Sequence, residues 1–494
     1  MLALESAESH GLRGTDYGLD QLRQAEARVS SPEVDALAEQ AFRAYANDLL
    51  RGRIDPLSID PDWPYSPRQA DINTIMNWAL QSGDAFTWLE LLAPRSEQYA
   101  ALRLELFRWR SAAEADWPTL SPTEAPLAVG DDGERVRQVR ARLIQMGVLP
   151  PFSPAVTLSD ESVSLDDVRI VPAFDEEMQT TIQRIQYDAR LEPDGLIGSE
   201  TLAWLNRTPS DRIAVLRANL ERLRWMPEDL GDVHISVNVP DFSLIVVESG
   251  QVIRRHNVIV GRRSRPTPVL TASLTHLIVN PWWETPHSLA VRDELPLFQR
   301  DPDAVARLGF QILDRQNEVV DGSIIDWSDV NASDFPYRLR QAPGPLNALG
   351  EVKFIFPNPH STFLHDTPGR HRFEEMPRAF SSGCVRVEDA RELAGWAIQY
   401  GVADPDRPEI PAIIETGDET RIDMSADIHV HFLYFTAFLD ADGSVRMVHD
   451  LYEKDHRIIE ALDAPQLVDE TAPSGIGAEP RSGAGPGDRY ACFD

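Results

Sequence analysis

Cysteine is nearly absent from the chain: among 494 residues there are two, Cys384 and Cys492. Cys492 falls in a Gly/Pro/Ser-rich tail, so a disulfide framework is excluded as the basis of the fold. Long apolar runs are missing as well, and none approaches the roughly 18 residues that a membrane-spanning helix needs. Basic charge is scarce: 47 Lys+Arg stand against 79 Asp+Glu, a net charge of −32. So acidic a surface repels nucleic-acid phosphates and anionic lipid, which excludes both as primary partners. A cationic or zwitterionic substrate stays open. Residues 1–20 lack the basic-then-apolar layout of an export signal. What remains is a globular composition, 42% hydrophobic and 26% charged, with length for two to four domains.

Residues 20–120 carry the helical period. Leu37, Ala41, Tyr45 and Leu49 make one apolar stripe between Val34 and Leu50, and the stretches Asp84–Leu92 and Gln98–Trp109 repeat the pattern. Pro64, Pro67, Pro94 and Pro118 punctuate these helices. A second unit covers residues 130–206. It has a helix with Val136, Val139 and Leu143, an irregular stretch from Pro150 to Pro172, and a helix from Asp175 to about Tyr187. An Asp-Gly-Leu-Ile-Gly turn (194–198) and a short helix, with Ser199 as its expected N-cap, follow. This order, best from Phe174 to Asn206, resembles the peptidoglycan-binding module. Leu216, Leu220 and Leu223 mark a connecting helix over 209–231. From residue 233 the period becomes two: Val233, Ile235 and Val237 alternate, as do Leu244 and Val246. Strands bounded by Gly, Pro and Ser predict an antiparallel β domain. Residues from Pro281 to Gly350 read as an irregular insertion or lid, strand character returns at 352–356, 362–364 and 429–438, and residues 464–494 read as disordered.

The chemistry concentrates between His365 and Asp389. A cysteine is a nucleophile as thiolate, and a nearby imidazole takes its proton. His365 ends a predicted strand. Cys384 follows Ser381-Ser382-Gly383 and precedes a helix expected over Glu388–Tyr400, whose N-terminus favours a thiolate. Gly383 lets backbone approach a substrate, and the N–H groups of Gly383 and Cys384 are candidates for an oxyanion site.

His365, the spacer and Ser-Ser-Gly-Cys-Val-Arg-Val resemble the signature of the L,D-transpeptidase (YkuD-type) catalytic domain, in the form of its large Gram-negative branch (YcbB-like). Ser382 stands where the commoner pattern has a second His, and Arg386 where it has Asn. The resemblance extends to Val260-Gly261 with Pro266-Thr267-Pro268, to Asn280-Pro281-Trp282-Trp283, to Phe335–Pro345 with Asn347–Gly350, and to Lys353–Asn358. It implies a multidomain α+β chain. A helical scaffold (1–125), a small helical peptidoglycan-binding module (126–208) and a linker helix (209–231) precede an antiparallel, β-sandwich-like catalytic domain (232–462). That domain carries a lid insertion at about 284–350, and a tail (463–494) follows.

The implied reaction is acyl transfer. Cys384 attacks a diaminopimelate carbonyl of a tetrapeptide stem and expels D-Ala; His365 is the base; a diaminopimelate amine of a second stem accepts the acyl group. Ser382, Gly383 and Asp366 are implied supports, with the Asp366 carbonyl holding the imidazole. Ser381, Arg386, Trp283, Tyr337 and Arg338 are implied substrate contacts, with a purely structural role for Arg386 left open. No metal or cofactor is needed, and carbapenem-type inhibitors are expected to acylate Cys384. The implied location is the periplasm of a Gram-negative bacterium, so Met1 is expected to be a late or misassigned start, or the chain a fragment, with any membrane association carried by a missing N-terminal segment. Two other readings stay open: a non-catalytic wall-binding protein, and a hydrolase or lipoprotein-linking variant of the same fold.

Two weaker constellations read as structural. Asp427, His429 and His431 alternate on one strand, but the outer two sit about 13 Å apart at strand rise, too far for one ion. Asp440-Ala441-Asp442-Gly443 has its Gly two positions early for a calcium loop and reads as a hairpin turn.

Overall fold

The computed structural model describes residues 1–26, 32–113, 116–122, 125–150, 173–403 and 409–464. The irregular stretch at 151–172, Cys492 and nearly all of the tail lie outside them. The chain divides into two compact units: Met1–Asp55, Pro67–Glu228 and Phe435–Pro465 form the first, and Pro56–Ser66 with Asp229–Tyr434 the core of the second.

The first unit is helical. The stripe read near Val34–Leu50 lies in the helix Pro32–Arg51, which buries Ala41, Tyr45 and Leu49. The connecting helix, Pro209–Trp225, is fixed at its start by a capping box: Thr208 accepts from the Asp211 N–H while Asp211 accepts from the Thr208 N–H, which satisfies two otherwise orphaned donors. This helix packs on Glu97–Ala112 and buries a pair, Glu221 with Arg224, whose side chains are wholly inaccessible. The small-module segment packs Val136, Val139, Leu143, Met178, Ile182 and Ile185 into one core. Its Asp-Gly-Leu-Ile-Gly turn is organised by the buried Gln186, whose Nε2 donates to Asp194 Oδ1 (2.8 Å), the Leu196 carbonyl (2.9 Å) and Thr201 Oγ1 (2.9 Å). Gly195 donates its N–H to Gln186 Oε1 at 2.8 Å. Gly198 rather than Ser199 is the N-cap of Ser199–Leu205.

The strand segment expected at 429–438 is divided between the units. His429–Leu433 stays in the sheet, whereas Ala437–Leu439 pairs with Val445–Met447 as a hairpin in the first unit, with Asp440–Gly443 as its turn. The helix Asp455–Asp463 packs on Pro209–Trp225, and the chain belongs to the helical unit from Phe435 onward.

The second unit is built on a curled eleven-stranded sheet. Its strands and those of the insertion are β1 (Val233–Asn238), β2 (Ser243–Glu248), β3 (Gln251–Gly261), β4 (Leu270–Ser273), β5 (His276–Val279), β6 (Trp283–Glu284), β7 (Phe310–Leu313), β8 (Val319–Val320), β9 (Arg338–Gln341), β10 (Val352–Ile355), β11 (Leu364–His365), β12 (Ala379–Ser381), β13 (Val385–Val387), β14 (Thr420–Asp423) and β15 (His429–Leu433). The sheet order is β14-β5-β10-β11-β13-β3-β2-β1-β15-β4, with β12 beside β3. Most neighbours are antiparallel, as the hairpin signals imply. Three pairings, β1–β15, β11–β13 and β12–β3, are parallel because distant segments close the sheet. The insertion is more ordered than its composition suggests: β6, β9, β7 and β8 form a separate sheet. Phe298, Phe310, Trp327 and Leu339 give it a core of its own, with Phe298 and Trp327 ring centroids 4.9 Å apart.

Candidate active site

Register brings the two chemical residues together. In β11, His365 faces Lys353 of antiparallel β10 and Arg386 of parallel β13. Side chains directly across a ladder share a face, and that face recurs every second residue. Cys384, two before Arg386 and immediately ahead of β13, therefore belongs to the face that carries Lys353, His365 and Arg386. Cys384 and His365 are both buried, 6% and 5% exposed, and both line one cavity of about 500 Å³. The helix expected to start at Glu388 begins only at Ala390, after β13. Strand, not helix, thus follows Cys384, and the N-terminal helix field drops out of the account.

The imidazole is held in one tautomer. His365 Nδ1–H donates to the Asp366 carbonyl at 2.5 Å, which leaves Nε2 as the basic nitrogen. Burial, then the charge of Arg386 and further that of Lys353, push its pKa down to about 3, so the ring is neutral around pH 7 and able to accept a proton. Asp366 is fixed in turn: its N–H donates to the Val352 carbonyl at 2.9 Å and its Oδ2 accepts from the Glu351 N–H at 3.0 Å.

The nucleophile loop is tied by hydroxyls. Ser381 Oγ donates to the Cys384 carbonyl at 2.5 Å and accepts from the Gly383 N–H at 3.1 Å, so that N–H, a candidate oxyanion donor in the sequence, already has a partner. Gly383 sits at φ +119°, a conformation side chains avoid. Thr267 Oγ1 donates to the Gly383 carbonyl at 2.8 Å and accepts from the Gly261 N–H at 2.9 Å. Ser382 Oγ accepts from Arg265 Nη1 at 3.0 Å. The same guanidinium holds Asp293 of the insertion through two bonds of 2.6 and 3.1 Å, and such a forked pair is geometrically specific.

Of the residues singled out in the sequence, Trp283, His365, Ser381, Ser382, Cys384 and Arg386 line the cavity. Tyr337 instead packs beside Trp327 and Phe335 in the insertion, and Arg338 donates to Glu284 and Asn317. Neither they nor Trp282, whose ring lies under Arg340, belong to the lining. Sequence reasoning did not single out Thr267, Arg265 or Asp293 as site residues. The Arg-Ser-Arg-Pro-Thr-Pro loop (263–268) was the available signal for the first two. Arg386 Nε is buried with no hydrogen-bond partner. His431, from the alternating His strand, bonds to Thr271 and the Leu230 carbonyl, and no cluster suited to a metal occurs among the described residues.

The curled sheet and the Cys384–His365 cavity define a class. Residues 232–418 match the family model of the L,D-transpeptidase catalytic domain (YkuD). Residues 1–106 match a model described as "Scaffold domain", and residues 132–205 match the "Putative peptidoglycan binding domain". A curated relative from Haemophilus influenzae, "Putative L,D-transpeptidase", is 37% identical over 245 residues, which is 49% of this chain and 48% of that protein. The chain thus spans about half the length of the curated relative it matches. Among solved structures, an L,D-transpeptidase from Xylanimonas cellulosilytica is 14% identical, with 63% of this chain and 100% of that one covered at a TM-score of 0.18. One from Stackebrandtia nassauensis is 13% identical, with 63% and 97% covered at a TM-score of 0.21.

Proposed function

We propose that the protein joins peptidoglycan stems in the bacterial envelope through a thioester on Cys384. The observation that carries this reading is the shared sheet face and cavity of Cys384 and His365. His365 Nε2 takes the thiol proton, and the thiolate attacks the carbonyl of a tetrapeptide's diaminopimelate. The imidazolium then protonates the departing D-Ala amine. Arg386, which lines the cavity, binds a stem carboxylate and favours the thiolate, and Trp283 packs against the stem. Ser381 and Thr267 hold the nucleophile loop in shape before substrate arrives. The amine of a second stem receives the acyl group, which gives a diaminopimelate–diaminopimelate cross-link, and the segment 126–208 keeps the polymer near the site.

The test is incubation with disaccharide tetrapeptide and mass analysis of both peptide and protein. D-Ala release, a dimeric product and an acyl adduct on Cys384 are expected. Monomeric tripeptide without dimer would assign the chain to hydrolysis instead. A carbapenem is expected to leave a covalent adduct on Cys384 that Cys384→Ala lacks.

A further inference from the structure

The cavity around Cys384 is rich in cations. Arg262, Arg292, Arg300 and Arg386 line it, which suits carboxylates and opposes an incoming ammonium. The acceptor in the proposed reaction is nevertheless an amine, which arrives protonated near pH 7 and must lose that proton before it can attack. Two carboxylates line the same cavity, Asp293 and Glu294. Asp293 is neutralised by Arg265 and approached by Arg262 at 3.4 Å. The Glu294 carboxylate has no hydrogen-bond or ion-pair partner among the described residues. It ends the π-helical turn Ala290–Glu294, and such turns are frequent at functional sites.

We propose that Glu294 is the acceptor-side base: it binds the ammonium of the second stem and takes one proton from it before the amine attacks the Cys384 thioester. This rests on the transpeptidase reading above. In the step, the ammonium passes one proton to Glu294, which becomes a carboxylic acid. The neutral amine forms the new C–N bond at the thioester carbonyl and the C–S bond breaks. The second amine proton passes through His365 to the Cys384 sulfur and regenerates the thiol, and Glu294 returns its proton to water when product leaves. Burial and the neighbouring charge of Asp293 push the Glu294 carboxyl up to about 7, which places its exchange near neutral pH. The division of labour follows from placement: His365 relays protons to and from the Cys384 sulfur, and Glu294, on the same cavity wall without a partner among the described residues, is left to take the first.

The experiment separates donor and acceptor steps in the full chain. The donor is a tetrapeptide stem whose diaminopimelate side-chain amine is acetylated, so that it can acylate Cys384 but not accept. An unmodified tripeptide stem is the acceptor. In Glu294→Gln, D-Ala release and the acyl-enzyme mass from the acetylated donor are expected within about twofold of the parent. Dimer formation at low acceptor concentration is expected to fall at least tenfold, with a raised acceptor KM. The residual rate should climb with pH as the acceptor sheds its own proton. Glu294→Asp should recover part of the loss. Dimer formation by Glu294→Gln within twofold of the parent at every pH would overturn the inference. Failure of the parent chain itself to be acylated would overturn the reading on which it rests.

Discussion

Replacing Gly350 by Ala tests the chain of contacts that orients His365. Gly350 precedes β10 at φ +63°. An added Cβ there would lie 2.4 Å from Asp366 Oδ2 and 2.5 Å from its Cγ, well inside contact distance. The left-handed backbone costs an alanine about 1–2 kcal/mol, and overpacking adds about 1–3 kcal/mol. Asp366 must move, which strains its bond to the Glu351 N–H, worth about 1 kcal/mol. A total of about 3–6 kcal/mol, at about 2–4 °C per kcal/mol for a unit of this size, predicts a thermal midpoint lower by at least about 6 °C. Because the Asp366 carbonyl also holds His365 Nδ1, acylation of Cys384 should slow by about tenfold or more in the fraction that remains folded. Gly395→Ala is the control. Gly395 lies in the helix Ala390–Gly401 with no atom within 4 Å of an added Cβ, so alanine there should be neutral or stabilising by about 0.5–1 kcal/mol. Differential scanning calorimetry and timed mass spectrometry read both quantities. A Gly350→Ala protein that melts with the parent and acylates at the parent rate would refute the reasoning.

Two further outcomes follow from charge. Removing the guanidinium in Arg386→Gln lifts one of the charges that depress His365, so the acidic limb of the acylation pH profile should move to higher pH by about one unit. The same variant should slow iodoacetamide alkylation of Cys384 at neutral pH, measured by peptide mass, because a cation beside the thiolate is gone. In the helical unit, burial lifts Asp48 to about 7, with Glu221 adding to the rise. A carboxyl raised when folded contributes stability that is fully present below about pH 4 and lost as pH rises through about 7. Asp48→Asn should therefore flatten the fall in thermal midpoint between pH 4 and 8.

Different parts of the molecule were legible to different degrees. Helical stripes such as Leu37, Ala41, Tyr45 and Leu49 were readable because 3.6-residue spacing is local. The Asp-Gly-Leu-Ile-Gly turn was readable as a pattern, although its organiser Gln186 was not, since the hydrogen bonds from Gln186 span 8 to 15 residues. Cys384 and His365 stood out by residue type and spacing. That Lys353 and Arg386 flank the imidazole depends on the β10–β11–β13 register, which no single strand encodes. The insertion was misread as irregular because its strands are two to four residues long and its core is aromatic rather than periodic. Ser382, noted only as a replacement, acquires a partner in Arg265 through a loop more than 100 residues earlier.

The central claim is that Cys384 carries the acyl group. Intact-mass analysis of the chain quenched during turnover of disaccharide tetrapeptide tests it most directly, beside Cys384→Ala. The account predicts a mass increase equal to the stem without D-Ala, located on the Cys384 peptide, and neither adduct nor dimer from Cys384→Ala. Equal turnover by Cys384→Ala, or an adduct on any other residue, would contradict it.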